Sequence, residues 1–399
     1  MTLDSLFGPA LLSLALGCLS HAQVAQETAP PPAAVPAPVA SEALREKLLP
    51  VLAAWQKDAG FPGATACLVF RDGSSLELAV GTTERAGETP MPADARMLAG
   101  SIGKTFVAAL ALQLVAEKKL ELDSLVSAHL GEHAWFARLP NAKAMTVRQL
   151  MNHTSGLVRY ELGEGFLTAF RAEPFRKWKV EEQLAFLFDT QAPFAAGAGW
   201  DYSDTNYLVL GLVVDRLLGE PRERAIEERL LKPLGLGKTF AQSSPTLPGL
   251  TQGYAGTAQP FGAFDAVLDA EGKLCFDPSF EGAGGGYVSC APDLARWVRA
   301  YFEGRAFANE LLPEVLAGPL APMLGRNVRY GLGAILREAK DLGAVRGHSG
   351  YFPGYLSEMA YYAEHGIGAA VQVNTSEFAK VKRPLGRVLD ELVRKALEG

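Results

Sequence analysis

A mixed α/β (α+β) fold, in which a central antiparallel sheet draws strands from both ends of the chain and is flanked by helices, is the architecture this 399-residue sequence predicts. Two observations carry that expectation. Strand patterns occur early, at residues 64–70 and 75–80, and return only late, at 329–336, 356–362 and 367–373. Between about residues 105 and 241, helical spacing of apolar residues punctuated by Gly and Pro prevails, with little strand signal. One sheet assembled from both termini, with an all-α lobe inserted between, accounts for this order better than two sequential domains. A site in the cleft between the lobes is then natural.

The elements follow in chain order. The apolar run containing Leu11, Leu12, Leu14 and Leu16, followed by Ser20-His21-Ala22, reads as a signal peptide over residues 1–22, although Asp4 stands in a leading segment that holds no Lys or Arg. The chain is therefore expected to be exported, periplasmic or secreted; the alternative is a lipid anchor on Cys18. Residues 23–40, rich in Ala and Pro and including Pro30-Pro31-Pro32, cannot build a core and read as an extended linker. The folded body spans 41–399. Ser41 ahead of Leu44, Leu48, Leu49 and Leu52 predicts a capped first helix, and Arg71-Asp72-Gly73 predicts a hairpin turn. An α/β lobe is expected from about 41–100 with 283–399, a helical lobe from about 105–280, and a last helix over 377–397. No later stretch is long and apolar enough to span a bilayer.

Composition narrows the function classes. Hydrophobic residues make up 48% and charged residues 21%, ordinary for a globular protein, and the net charge of -6 supplies no basic excess for nucleic acid. A small-molecule or peptide substrate is the better expectation. The four cysteines show no Cys-x-x-Cys spacing, and Cys275 with Cys290 could form a disulfide or remain two buried thiols. No cofactor and no metal is implied. His129-Leu130-Gly131-Glu132-His133 imitates a zinc pattern, but Gly131 interrupts the helix such a pattern needs, and no third ligand is evident. Gly100 to Thr105 imitates a phosphate loop, but Leu98 occupies the position of its first glycine. The run Gly282 to Gly286 lacks dinucleotide-site spacing, and His153 reads as a structural hydrogen-bonding residue.

Ser101 and Lys104 carry the chemistry. Three residues apart at the head of a helical run, a hydroxyl and an amine share one face, and a serine becomes a nucleophile only when a neighbour takes its proton. A lysine can take it only if burial or nearby groups keep it neutral part of the time, and the surroundings are apolar enough to permit that. A Ser-x-x-Lys arises by chance roughly once in a chain of this size, so the pair gains meaning from company. That company is Tyr202 within Trp200 to Leu208, His348-Ser349-Gly350, the block Thr146 to Leu157, and Gly284-Gly285-Gly286-Tyr287-Val288-Ser289 ahead of Asp293-Leu294-Ala295.

In that order these elements resemble the serine β-lactamase and penicillin-binding-protein family: class C β-lactamases, D-alanyl-D-alanine carboxypeptidases and family VIII-type esterases. The resemblance implies a β-lactamase/transpeptidase-like fold and a covalent acyl-enzyme. Ser101 would be the nucleophile, Lys104 its base, and Tyr202 a proton relay hydrogen-bonded to the pair. The backbone N–H groups of Ser101 and Tyr351 would form the oxyanion hole, and Asp204, His348, Ser349 and Gly350 would bind substrate along the edge of a strand. Two positions depart from the pattern. Asp204 stands where β-lactamases carry an amide donor, and a carboxylate cannot donate. His348, only partly protonated near neutrality, replaces a lysine. Both point to a D-peptidase, carboxypeptidase or esterase, with a β-lactamase proper or a slowly turning-over penicillin- or peptidoglycan-binding sensor as the alternative.

Overall fold

The Ser41 hydroxyl accepts a hydrogen bond from the Leu44 N–H and opens α1 (Glu42–Ala59), which closes on Gly60 in the left-handed region at φ 75°. The computed structural model describes residues 39–398; the expected signal peptide, Cys18 and all but the last two residues of the expected linker lie outside the described residues. Two strands follow, β1 (Gly63–Val69) and β2 (Ser75–Gly81). After β3 (Met97–Leu98) come α2 (Lys104–Ala116), α3 (Asp204–Leu218), β4 (Phe240–Ala241), β5 (Tyr287–Ser289) and α4 (Ala291–Phe302). The chain ends with β6 (Arg329–Tyr330), β7 (Ile335–Ala339), β8 (Gly343–Phe352), β9 (Tyr355–Tyr362), β10 (Ile367–Val373) and α5 (Leu385–Leu397). Shorter helices are given below by residue range.

The seven-stranded sheet runs in the order β2-β1-β10-β9-β8-β7-β6, with antiparallel neighbours throughout. Early strands thus lie beside late ones: Ala66 is opposite Leu78 on one side and Val371 on the other. Every residue of β1 is buried, because alternate side chains enter two cores. Ala64, Ala66 and Leu68 meet α1 and α5 through Leu48, Leu52, Leu389 and Leu392, whereas Cys67 and Val69 face the core that includes Leu294, Val298 and α4. Each fully buried Leu or Val contributes about 1.5–3 kcal/mol by leaving water.

A small second sheet, β3-β5-β4, positions the site. It sets the chain leaving β3, Ala99-Gly100-Ser101, beside the Gly284–Gly286 segment entering β5. Helix α2 is buried on nearly every face, so its first residue is carried inside the protein.

Two expectations are corrected, one open alternative is decided, and one strand is found beyond its motif. The strand read over 329–336 is two strands, because Gly331–Gly333 makes a turn: Gly333 has φ 77°, and a Cβ there would lie 2.6 Å from that of Ala108. The last helix is broken into Phe378–Val381 and α5; Lys382 is left-handed at φ 55°, and Pro384 cannot continue a helical ladder. Cys275 and Cys290 are unbonded thiols, half-buried and buried respectively, and burial pushes Cys290 up to about 12. The longest strand, β8, lacks a clean apolar alternation and appears only through its His348-Ser349-Gly350 motif. β7 pairs with its first half, ending at Gly347, so residues 348–352 have β9 on one side and an unpaired edge on the other.

Leu389→Ala, which empties a fully buried site between α5 and the sheet, is expected to lower unfolding free energy in urea by about 2–5 kcal/mol. Met323→Ala, at a position 72% exposed, should stay within about 0.5 kcal/mol.

Candidate active site

Ser101 sits in a tight 3₁₀ turn, Gly100–Gly103, wedged between the end of β3 and the start of α2. Glycines make this crowding feasible. Gly100 is left-handed at φ 55°, and a Cβ on it would lie 2.8 Å from the backbone nitrogen of Tyr351. A Cβ on Gly285 would lie 2.6 Å from the Gly100 carbonyl oxygen and 3.0 Å from Ser101 Cα, and one on Gly350 would strike the Ala99 carbonyl. Three backbones therefore touch around the serine, and the amides of Ser101 and Tyr351 fall in adjoining segments.

The Lys104 side chain is fully buried and spends all three donors: on Ser101 Oγ at 3.0 Å, on Asp204 Oδ1 and on the Gly284 carbonyl. Burial alone would lower its pKa, but the Asp204 carboxylate, with smaller help from Tyr202 and Glu281, outweighs it and holds Lys104 above the usual lysine range. The surroundings of Lys104, with a carboxylate and a carbonyl accepting from it, thus favour its charged form. Asp204 opens α3, where the helix N-terminus favours a negative charge. Burial pushes its carboxyl up, but Lys104 and Arg159 overcome that and hold it well below the usual range. Its Oδ2 accepts from Arg159 at 2.9 Å, and Arg159 also donates to Glu161 Oε1 at 2.5 Å. Buried beside the Asp204 carboxylate, Glu161 is raised well above the ordinary range. Glu281 is likewise raised, to about 7, by burial and then by Asp204.

Tyr202 stands next to this pair, its ring centroid 5.0 Å from Lys104 Nζ. Its buried hydroxyl makes no hydrogen bond of ordinary geometry among the described residues, yet it lies near enough to Ser101 and Lys104 for both to act on its acidity, as the expected contact with the pair requires. Burial raises its pKa, opposed by the nearby Lys104 charge and the Ser101 hydroxyl. His153 supports the ring from behind at 4.3 Å between centroids, and its Nδ1 accepts from Asn206 Nδ2 at 3.0 Å and the Ser203 N–H at 3.3 Å. The structural reading of His153 thus acquires a geometry. His348 donates from Nδ1 to the Ser349 carbonyl at 2.6 Å and accepts at Nε2 from the Tyr330 hydroxyl at 2.8 Å. Burial, then the Lys104 charge, lowers it to about 3, so this histidine is neutral near neutrality rather than partly charged.

Ser101, Tyr202, Asp204, His348, Ser349 and Tyr351 all line one cavity of about 490 Å³. Lys104 lies beneath it, and Gly350 lines an adjoining cavity of about 560 Å³ that shares Ser349, Tyr351 and Phe378. Arg159, Glu161 and Glu281 also line the first cavity and were not expected from sequence. Their only signals are position: the first two follow the Thr146–Leu157 block and Glu281 precedes the glycine run. The residues of the zinc-like pattern have separate partners. His129 meets Ser124 Oγ, His133 stacks on Trp135, and Glu132 pairs with Arg216.

Asp204→Asn leaves the Lys104 ammonium buried without its counter-charge and is expected to cost about 3–5 kcal/mol in denaturant unfolding. The raised carboxyls give a pH dependence. Glu281 and Glu358, both moved from 4.5 to about 7, keep protons in the folded chain that the unfolded chain releases between those values. Their contribution to stability should therefore fall as pH rises through that window, while His348 and His153, both lowered by burial, contribute with the opposite sign; the Glu281 part is read as the difference between the wild-type protein and Glu281→Gln when unfolding is compared at about pH 5 and pH 8.

Comparison with known proteins places the chain in a family. The Beta-lactamase family model matches residues 48–393. Penicillin-binding protein 4 of Amycolatopsis lactamdurans is 28% identical, over 81% of this chain and 84% of that protein, and esterase EstB of Burkholderia gladioli is 27% identical, over 79% and 86%. A D-stereospecific amidohydrolase from Streptomyces sp. superposes with a TM-score of 0.72 at 28% identity, covering 84% of this chain and 97% of that one. A D-amino acid amidase from Ochrobactrum anthropi SV3 does so at 0.74 and 25% identity, covering 89% and 99%. With the sheet order, the Ser101/Lys104 turn and a family match over most of its length, this chain belongs to the β-lactamase family of serine hydrolases.

Proposed function

We propose that this enzyme hydrolyses esters or amides with uncharged leaving groups through an acyl-enzyme on Ser101. The carrying observation is the charge pattern of the cavity. β-Lactams and D-alanyl-D-alanine peptides bring a carboxylate to such a site, yet His348 is neutral, and Lys104 and Arg159 are already engaged by Asp204 and Glu161. Asp204, accepting from Lys104 and Arg159, offers no donor for an acylamido carbonyl. An ester or simple amide needs neither contact. The likeness to an esterase and a D-amino acid amidase supports the same choice.

In this reading, Lys104 orients Ser101 by donating to its oxygen and lowers the cost of a Tyr202 phenolate through its charge. The phenolate takes the Ser101 proton as Oγ attacks the carbonyl, and the phenol returns it to the departing oxygen or nitrogen. The backbone amides of Ser101 and Tyr351 receive the developing oxyanion, Ser349 and Gly350 border the substrate, and water repeats the sequence to release the acid. Export is part of the proposal, supported by the apolar N-terminal run and the penicillin-binding relatives.

Ser101→Ala should reduce ester turnover by about 10⁴-fold or more and abolish the covalent adduct seen by mass spectrometry, and Tyr202→Phe should cost about 10²–10⁴ in kcat. p-Nitrophenyl esters are expected to outpace nitrocefin and a D-Ala-D-Ala peptide. Nitrocefin as the fastest substrate, or turnover that survives Ser101→Ala, would overturn the assignment.

A further inference from the structure

Two of the three carboxyls in the cavity wall have cationic partners: Asp204 has Lys104 and Arg159, and Glu161 has Arg159. Glu281 differs. It is 9% exposed, lines the same cavity, and among the described residues its carboxyl takes part in no hydrogen bond or ion pair. Its carboxyl lies close to the nucleophile: a Cβ on Gly284 would be 3.2 Å from Glu281 Oε1, the Gly284 carbonyl holds Lys104, and Gly285 abuts Ser101. An acid buried without a partner lowers stability, and such a group facing a catalytic cleft is complementary to a cation that brings its own N–H donors.

The rest of the cavity describes what that cation is attached to. Phe261, Phe280 and Phe352 line it, with the Phe280 ring centroid 5.9 Å from each of the other two. Its lining also carries exposed Leu162, Met323, Leu324 and Phe378. Apolar side chains of this size left in water mark a binding surface.

We infer that Glu281 receives the ammonium group of an amine-bearing substrate whose bulky apolar side chain lies against the Phe261, Phe280 and Phe352 wall, so that the preferred acyl donor is an aminoacyl ester or amide. This rests on the acyl-transfer reading above. Lys104 and Arg159 both pair with the Asp204 carboxylate, and Glu281 is the cavity acid left without a contacting cation for an incoming ammonium to meet. Its raised pKa, about 7, means that binding would draw off the remaining proton at neutrality.

The test compares phenylalanine methyl ester, in both enantiomers, with methyl 3-phenylpropanoate, which differs by lacking the amine. The wild-type protein should favour the better enantiomer over the desamino ester by about 10–100-fold in kcat/KM, chiefly through KM. In Glu281→Gln that ratio should collapse towards one, and Glu281→Asp should retain part of it. In the wild-type protein, phenethylamine should inhibit ester hydrolysis competitively where 2-phenylethanol at the same concentration does not. Equal rates on the two esters in the wild type, or a Glu281→Gln variant that slows both in proportion, would overturn the assignment. Failure of the wild type to turn over or be acylated by either ester would instead overturn the acyl-transfer reading beneath it.

Discussion

A single buried ammonium organises this protein's site. Lys104 carries its charge to a position without water, where an unpaired cation would cost several kcal/mol, so three acceptors must be brought to it. They come from three places: Ser101 in the preceding turn, Asp204 at the mouth of α3, and the Gly284 carbonyl before β5. Satisfying one side chain thus fixes the approach of α2, α3 and the glycine segment. The glycines at 100, 285 and 350 are the steric counterpart, since side chains there would hold those backbones apart.

The same demand redistributes the roles read from sequence. With Asp204 in place of a neutral amide, Lys104 gains a full counter-charge and is stabilised as a cation. In the proposed mechanism proton acceptance falls to Tyr202, whose ring is braced by His153. His348, locked between the Ser349 carbonyl and Tyr330, is a rigid neutral wall rather than an anchor for anions.

Much of this was legible in residue order, for definite physical reasons. The caps and turns of α1, β1 and β2 rest on local chemistry, Ser41, Gly60 and Asp72-Gly73, which acts over a few residues and shows in any window of sequence. Ser101, Lys104, Tyr202 and His348 could be assembled because each lies in a short motif of distinctive composition. Local pattern failed where a long-range contact decided the outcome. The break at Gly331–Gly333 depends on a packed neighbour, Ala108, far back in the chain, and β8 is held by pairing that its own composition does not advertise. Arg159, Glu161 and Glu281 are ordinary surface-type residues in sequence, and only the fold turns them inward. The charge preferences of Lys104 and His348 were illegible for a related reason: a pKa belongs to a surrounding, and the burial of His348 and the carboxylate and ammonium near each group come from separate segments.

The strand order has a temporal meaning as well. β1 is complete only when its outer face meets β10, which pairs Ala66 with Val371 near the end of the chain. While the polypeptide is being made, β1 and β2 can form at most an isolated hairpin, marginal in water and lacking the neighbour that buries it. Closure of the main sheet must await nearly the whole chain, and such non-local pairing is slow because loop entropy is lost before contacts compensate it. The protein is built to remain unfinished until synthesis is almost over, with its apolar early strands in need of shielding during that interval.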